Sequence, residues 1–266
     1  GEGPACRAAA APHDRVQAGT SGGSLSLALY FASAPNKKTT LAAAALRAAI
    51  RPMQPCFTGV KVLHADLSPL EDVPMTGPSE MWFRLFARNL LRGHDAFFWW
   101  HHDLLPIRPL WLDELLLEAQ RAGHFWVRGG GLSTDLLDPY LVGKVKRSMP
   151  VYDYRCYYSL LSTFVGENHI NGAALYNLRD QRFVDAAAAA RARGDVAIFA
   201  HLTNLLEPAR VRETAPMIQH TGFVRVLTSP SGDPVVDRRF KRTHPTTFVV
   251  YTLNRSGVMG NAISQC

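Results

Sequence analysis

The chain has 266 residues, of which 47% are hydrophobic and 19% are charged, and it carries a formal net charge of +7. These values are typical of a globular protein long enough for one large α/β domain, and they argue against a disordered chain. No apolar run approaches the roughly 20 residues needed to cross a bilayer, so the sequence predicts no transmembrane helix.

The positive charge raises the question of a nucleic-acid partner. A basic chain neutralises phosphates, but the basic residues are spread along the sequence apart from short runs at 144–147 and 238–242. The aromatic clusters have the pattern of buried strands, and an exposed aromatic platform for single strands is not evident. We therefore predict no nucleic-acid partner, and the same basic runs would suit a pocket for an anionic diphosphate.

The first 23 residues are rich in Ala, Gly, Pro and Ser, and they predict a flexible stem or linker ahead of a folded domain over 24–266. Because the sequence begins with Gly rather than Met, we interpret this end as a boundary with a signal or membrane anchor upstream. The four cysteines occur singly. Their even number permits one or two disulfides in an oxidising compartment, and free buried thiols are the alternative.

Strands and helices alternate along the first half of the chain. Alternating apolar residues predict strands at 24–33 and 57–67, and an Ala-rich segment predicts a helix from Thr39 to about Arg51. A further helix is predicted over 79–91, with Glu80 and Arg84 as a surface ion pair one turn apart. This order predicts an α/β fold with a mostly parallel central sheet flanked by helices.

The segment 96–112 carries the strongest indication of function. Five apolar residues at 96–100 predict a strand buried on both faces, and His101-His102-Asp103 follows it directly. A carboxylate at the end of a buried strand needs a hydrogen-bond network, a cation or a metal. In open α/β sheets, ligands bind at these carboxyl ends. The alternative is that Asp103 only caps the turn before Pro106.

Two blocks of this sequence resemble the GT-A nucleotide-sugar glycosyltransferases, in particular a group found in algae and large algal viruses. The first block is the aromatic strand with its carboxylate motif, followed by Pro106-Ile107-Arg108-Pro109-Leu110-Trp111-Leu112. The second block is His169-Ile170-Asn171-Gly172-Ala173-Ala174-Leu175-Tyr176. The similar region runs from about residue 24 to about residue 176. The resemblance implies one GT-A-like domain over 24–266 that transfers a sugar from a UDP- or GDP-sugar to a glycan or glycoprotein acceptor.

The resemblance also implies a divalent cation, manganese by preference, held by Asp103 and His101. Side-chain alternation along a strand places these two residues on the same face. Where the family has a first carboxylate this chain has His101, and an imidazole suits manganese or zinc better than magnesium. A C-terminal histidine often joins such a site, and we rank His244 first and His220 second. The cation would stabilise the leaving diphosphate.

Donor contacts are assigned in the same way. Lys37 and Lys38 follow the first strand and Asp66 ends the second, where this fold contacts a nucleotide. Ordinary exposed lysines, and a turn before Pro69, are the alternatives.

The second block supplies the remaining site residues. His169, Asn171 and Gly172 are assigned to the sugar or pyrophosphate, with Asn171-Gly172 as a tight turn. Catalysis is assigned to Asp103, Asn171 and Glu167. The other candidates for a general base are the loop carboxylates Asp135, Asp138 and Asp153.

Three consecutive glycines, Gly129-Gly130-Gly131, follow a short predicted strand at 124–128. They predict a turn, or a close approach of the backbone to a ligand. Further strands are predicted at 222–227 and 246–251, on either side of the basic run and His244.

Two other functions remain open on the sequence alone. A GT-A-like domain that binds nucleotide or glycan without turnover would explain the missing first carboxylate. A non-haem Fe(II)/2-oxoglutarate oxygenase would use His101, Asp103 and His244, with Arg255 binding the substrate carboxylate. For the transferase we expect the Golgi or another secretory lumen, with membrane contact only through an upstream anchor, or the cytoplasm if the protein is viral or lacks an anchor.

Overall fold

The computed structural model describes residues 5–6, 23–73, 76–100, 104–121, 123–131, 170–192, 215–229 and 238–254. These residues form a mixture of helices and strands, which confirms the α/β class. They divide into two compact units. The first spans Gly1–Phe97, Arg108–His124 and Leu178–Ile198, and the second spans Phe98–Ile107, Phe125–Asn177 and Phe199–Cys266.

The first unit contains two strands and four α-helices among the described residues. Its elements in chain order are β1 (Leu27–Phe31), α1 (Lys37–Ala49), a 3₁₀-helix (Arg51–Cys56), β2 (Val60–His64), α2 (Thr76–Ala87), α3 (Trp111–Gln120) and α4 (Gln181–Ala192).

Strands β1 and β2 are parallel, as the strand–helix–strand order predicts. Leu27 pairs with Val60 and Phe31 with His64, and α1 connects the two strands. The start of α1 is fixed by a capping box, because the Asn36 side chain accepts a hydrogen bond from Thr39 N and the Thr39 hydroxyl accepts one from Asn36 N. The carboxyl ends of both strands therefore lie at the same edge, beside the start of α1.

An aromatic cluster forms the core between α2 and α4. The buried Trp82 and Phe183 have ring centroids 6.4 Å apart, and Phe86 lies 5.8 Å from Phe183. Glu80 of α2 accepts a hydrogen bond from Arg191 of α4 at 3.2 Å. The predicted helical pair of Glu80 with Arg84 is therefore wrong, because packing against α4 gives Glu80 a different partner.

Part of the N-terminal segment is attached to the first unit. A disulfide joins the buried Cys6 to Cys56 at the end of the 3₁₀-helix. The neighbouring Ala5 carbonyl oxygen accepts a hydrogen bond from Leu112 N in the first turn of α3, at 3.0 Å. Leu110 precedes α3 in a left-handed conformation, with φ 59°, and its side chain makes no capping hydrogen bond. The Ala5 carbonyl thus satisfies one of the backbone donors at this helix start.

The second unit is mainly β-structure. Strand β3 (Ala96–Phe98) enters it at Phe98, and its further elements are β4 (Leu104–Pro106), β5 (Val127–Gly131), β6 (Ile170–Asn177), a 3₁₀-helix (Ala215–Met217), β7 (Ile218–His220), β8 (Val224–Ser229), α5 (Arg238–Thr243) and β9 (Val249–Asn254).

The described strands form three sheets rather than one. Beside the β1–β2 pair, one sheet has the order β3-β6-β5-β7 and another the order β4-β9-β8. Both larger sheets are mixed: β5 is antiparallel to β6 and parallel to β7, and β9 is antiparallel to β4 and parallel to β8. The mostly parallel sheet predicted from the order of elements is therefore not what these strands form.

Strand β3 also differs from its prediction. It has three residues and is an edge strand of its sheet among the described strands. Its three residues are only partly buried. The prediction of a strand buried on both faces is wrong, because a run of apolar residues does not reveal how many neighbours a strand has.

Two glycine motifs lie inside strands rather than in turns. The triple glycine forms the second half of β5, and Asn171-Gly172 lies within β6, so both predicted turns are wrong. The backbone approach at Gly130 is to another strand, since a Cβ there would lie 2.4 Å from the Val224 carbonyl oxygen of β8. Gly130 therefore permits close packing of two sheets within the second unit.

Among the described helices, none has both the length and the apolar character required to cross a membrane.

Candidate functional site

Several predicted site residues lie outside the described part of the chain. These are His101, Asp103, Glu167, His169, the loop carboxylates at 135, 138 and 153, and Arg255. Asn171 and Gly172 are described only as backbone within β6. Their assigned roles stay predictions. Lys37, Lys38, Asp66, His220 and His244 can be located, and they fall in two separate regions.

The first region lies at the carboxyl ends of β1 and β2. Lys37 and Lys38 form the first turn of α1 and are exposed. Asp66 follows β2 in a left-handed conformation, with φ 53°. This conformation is uncommon for residues other than glycine, although Asp tolerates it better than most.

Two arginines of the α2 segment surround this turn. Arg84 donates to the carbonyl oxygens of Ala65 and Asp66, at 2.6 and 2.7 Å, and to Glu71 Oε1 at 2.5 Å. Arg88 donates to Asp66 Oδ2 at 2.5 Å. Each cation thus has a carboxylate and backbone carbonyls as partners within the unit, so the Asp66 carboxylate assigned to a nucleotide already has a protein partner.

The electrostatics of this first region follow from those contacts. The Tyr30 hydroxyl donates to the Met81 carbonyl at 2.9 Å, and burial raises the pKa of Tyr30 from 10.0 to about 12, although Arg84 and Arg88 partly oppose the shift. Hydrogen bonds from Ser68, reinforced by Arg84, lower the pKa of Glu71. The sequence pattern did not reveal Arg84 and Arg88 as members of this cluster, because their partners lie 13 to 24 residues away in the chain.

The second region is a pocket of about 400 Å³ in the second unit. It is formed by the start of β8, the end of α5 and the connections beside them, and it is lined by Thr221, Gly222, Val224, Arg225, Thr243, His244, Pro245, Thr246 and Thr247. The volume is within the usual range for small-molecule sites. Four of these residues are threonines with hydroxyl groups, Arg225 supplies a guanidinium group and His244 an imidazole, and none of the lining side chains is a carboxylate.

His244 is held in a defined orientation in this pocket. Its ring stacks on Phe240 with centroids 4.4 Å apart, and Nδ1 lies 3.1 Å from the Phe240 carbonyl oxygen. Because a carbonyl only accepts hydrogen bonds, this contact favours the tautomer with the proton on Nδ1. In the neutral ring the lone pair is then on Nε2, the atom that can bind a metal or accept a proton.

Arg225 extends from β8 into the lining, next to the buried Val224. In the part of the chain that the structure describes, no carboxylate or carbonyl oxygen pairs with its guanidinium group. Gly222 lies beside Thr246 in this lining, and a Cβ at residue 222 would lie 2.4 Å from the Thr246 hydroxyl oxygen. The second histidine ranked from sequence, His220, is exposed at the end of β7 and does not line the pocket.

No group of three His, Cys, Asp or Glu side chains capable of holding a metal occurs among the described residues. The described lining of the pocket offers one imidazole and no carboxylate, which is the donor set of an anion site rather than of a site for a hard cation. The predicted partners of His244 in a metal site, His101 and Asp103, are outside the described residues.

Comparisons with known proteins add no relative: no protein-family model, no curated protein and no solved structure matches this chain.

Proposed function

We propose that this protein is a GT-A-like glycosyltransferase that moves a sugar from a UDP- or GDP-sugar to a glycan or glycoprotein acceptor. The observation that carries the proposal is the pocket in the second unit, where Arg225 and His244 meet four threonines. A guanidinium and an imidazole suit a diphosphate, and hydroxyl groups suit both phosphate and sugar. His244 was chosen from the sequence because it lies between a basic run and a strand.

The proposal assigns a role to each group of residues. Asp103 and His101 would hold a manganese ion, which supplies Lewis-acid stabilisation to the leaving diphosphate. His169, Asn171 and Gly172 would contact the sugar or pyrophosphate, Glu167 would act at the acceptor hydroxyl, and Lys37 and Lys38 would contact the nucleotide. His244 would bind at the diphosphate end of the donor.

A secretory location is part of the proposal. The disulfide between Cys6 and Cys56 supports it, because disulfides persist in oxidising compartments and are rare in the cytosol. The lumen of the Golgi is where donors and glycoprotein acceptors of this kind meet.

The test is calorimetric titration of the purified chain with UDP, GDP and 2-oxoglutarate, each with and without manganese, followed by a transfer assay with the matching sugar nucleotides. We expect one nucleotide to bind at least about tenfold more tightly with manganese, equivalent to about 1.4 kcal/mol. Asp103→Ala should lose that difference and the transfer activity. Asp72→Asn, which changes an exposed carboxylate of the first unit, is the control.

Each alternative function has its own result in this experiment. Nucleotide binding without transfer to any acceptor or to water would identify a binding domain without turnover. Binding of 2-oxoglutarate with Fe(II), and of neither nucleotide, would replace the proposal with the oxygenase.

A further inference from the structure

The pocket in the second unit differs from the other basic regions in how its charge is balanced. Three arginines of the first unit lie against acidic side chains: Arg84 against Glu71, Arg88 against Asp66 and Arg179 against Asp95. Arg225 is partly buried in the pocket lining, and within the described residues it has no such partner. A partly buried cation without a counter-ion is costly unless a ligand supplies the negative charge.

We infer that this pocket is a phosphate-binding site that acts without a metal, with Arg225 as its principal charge. The inference rests on the proposed function for the identity of the ligand, the diphosphate of a nucleotide-sugar. Its physical basis is independent: a fork of guanidinium donors matches phosphate oxygens in a bidentate manner, and the lining described has no acidic side chain to repel them.

The threonines contribute hydroxyl donors at defined places. The Thr221 hydroxyl accepts a hydrogen bond from Phe223 N at 3.1 Å, so its own proton points elsewhere. Thr246 lies beside Gly222, where a Cβ would come within 2.4 Å of the Thr246 hydroxyl oxygen in its present position. Thr243 differs, because its hydroxyl donates to the Arg239 or Phe240 carbonyl within α5. Thr221 and Thr246 are therefore the hydroxyls that we expect to bind the phosphate beside Arg225.

His244 has a second role in this arrangement. Its Nδ1 lies 3.1 Å from the Phe240 carbonyl oxygen and 3.0 Å from the Thr243 hydroxyl oxygen, so we expect Nε2 to be the ring nitrogen that contacts the phosphate. An Nε2–H would donate a hydrogen bond to a phosphate oxygen, and an Nε2 lone pair would accept a hydrogen bond from a P–OH group. Both states allow a hydrogen bond to phosphate without an intervening cation.

The experiment is titration of the full chain with inorganic pyrophosphate in the presence of a chelator, at low and at moderate salt. We expect binding without metal, weakening as salt screens the charges. Arg225→Ala should weaken it about 10- to 100-fold, as for a lost hydrogen bond to a charged group, and Arg225→Lys should lose less because the charge remains. Arg92→Ala, an exposed arginine of the first unit, should bind as the wild type does.

Three results would overturn the inference: pyrophosphate binding only with manganese, equal affinity of Arg225→Ala and wild type, or tighter binding of 2-oxoglutarate than of pyrophosphate. A thermal melt of each variant separates loss of binding from loss of folding, and Thr221→Val offers a second, milder change in the same pocket.

If metal-free pyrophosphate binding depends on Arg225 but no sugar is transferred, the phosphate site stands and the transferase proposal fails. If sugar is transferred but pyrophosphate does not bind, the transferase proposal stands and the phosphate site is refuted.

Discussion

The two basic regions contain the same kind of side chain in opposite states of neutralisation. At the ends of β1 and β2, Arg84 and Arg88 are bonded to Glu71, Asp66 and backbone carbonyls. In the pocket of the second unit, Arg225 stands with hydroxyls and an imidazole and without an acidic side chain among the described lining. Arg84 and Arg88 are neutralised by the protein and bond to the backbone of a turn, whereas we propose that Arg225 is neutralised by a ligand. Substitutions should separate these two uses.

The largest effect on stability is expected from the disulfide of the first unit. Cys6 and Cys56 are 50 residues apart, and the loop-closure entropy of that separation corresponds to about 4 kcal/mol of unfolding free energy. We expect the double variant Cys6→Ser/Cys56→Ser to unfold at much lower urea concentration, while pyrophosphate binding in the folded protein is unchanged. Equal urea midpoints for the variant and the oxidised wild type would contradict the prediction.

Replacing Arg84 tests the neutralised region directly. Arg84→Ala removes the charged donor of the Ala65 and Asp66 carbonyl oxygens and one partner of Glu71, and we expect a loss of about 1.5 to 3 kcal/mol, as for lost hydrogen bonds from a charged group to part-buried carbonyls. Arg92→Ala should change stability by less than about 0.5 kcal/mol. The same measurement on Arg225→Ala should resemble the Arg92 control. If Arg225→Ala is as destabilising as Arg84→Ala, then Arg225 is structural and the contrast between the regions is lost.

A smaller change in stability is expected when the pocket wall is altered. Gly222→Ala would bring a methyl group against the Thr246 hydroxyl, and that side chain can rotate away, so we expect a cost below about 1 kcal/mol. Pyrophosphate affinity should still fall several-fold, since Thr246 leaves its position. Gly59→Ala is a matched control with no atom within 4 Å of the added carbon. Unchanged affinity in Gly222→Ala would remove Thr246 from the proposed ligand contacts.

The remaining effect concerns Tyr30 and depends on pH. Its pKa is raised from 10.0 to about 12, so the folded state holds the phenol proton more tightly than the unfolded state does. The resulting stability is fully present below pH 10 and is lost as the pH rises towards 12. Tyr30→Phe should cost about 1 kcal/mol at pH 7 for the hydrogen bond to Met81 and should lose less stability than the wild type above pH 10. Urea unfolding of Tyr30→Phe and of the wild type at pH 7, 9 and 10.5 measures both the cost at pH 7 and the dependence of stability on pH.

Sequence reasoning identified most of the local elements. The two parallel strands of the first unit and the helix between them follow from the order and apolar spacing of the sequence, although the helix begins at Lys37, capped by Asn36, rather than at the predicted Thr39. Partners were predicted less well. Glu80 pairs with Arg191 rather than Arg84, because the nearest opposite charge in a helix competes with whatever packs against it. The triple glycine predicts a turn or a close approach to a ligand, because the flexibility of glycine is visible in a sequence, whereas the strand that lies against Gly130 is not.

The residues of the candidate site also fall into those that the sequence indicated and those that only the structure revealed. The sequence indicated His244, since a histidine between a basic run and a strand stands out from its immediate neighbours. It did not indicate Arg225 or Thr221, because an arginine and a threonine in or beside a strand look like ordinary surface residues until the pocket around them is known. Asp66 was selected as an exposed nucleotide ligand, and its pairing with Arg88 became visible only with α2 in place.

By itself the sequence determined the mixed α/β class, the beginnings and ends of the better-patterned elements, and the net positive charge. These properties depend on residues within a few positions of one another, through periodicity, capping and composition. The tertiary structure decided which cations are neutralised, which glycines permit close packing, and which cysteines meet. Those outcomes depend on contacts between residues far apart in the chain, and such contacts exist only once the helices and strands have packed.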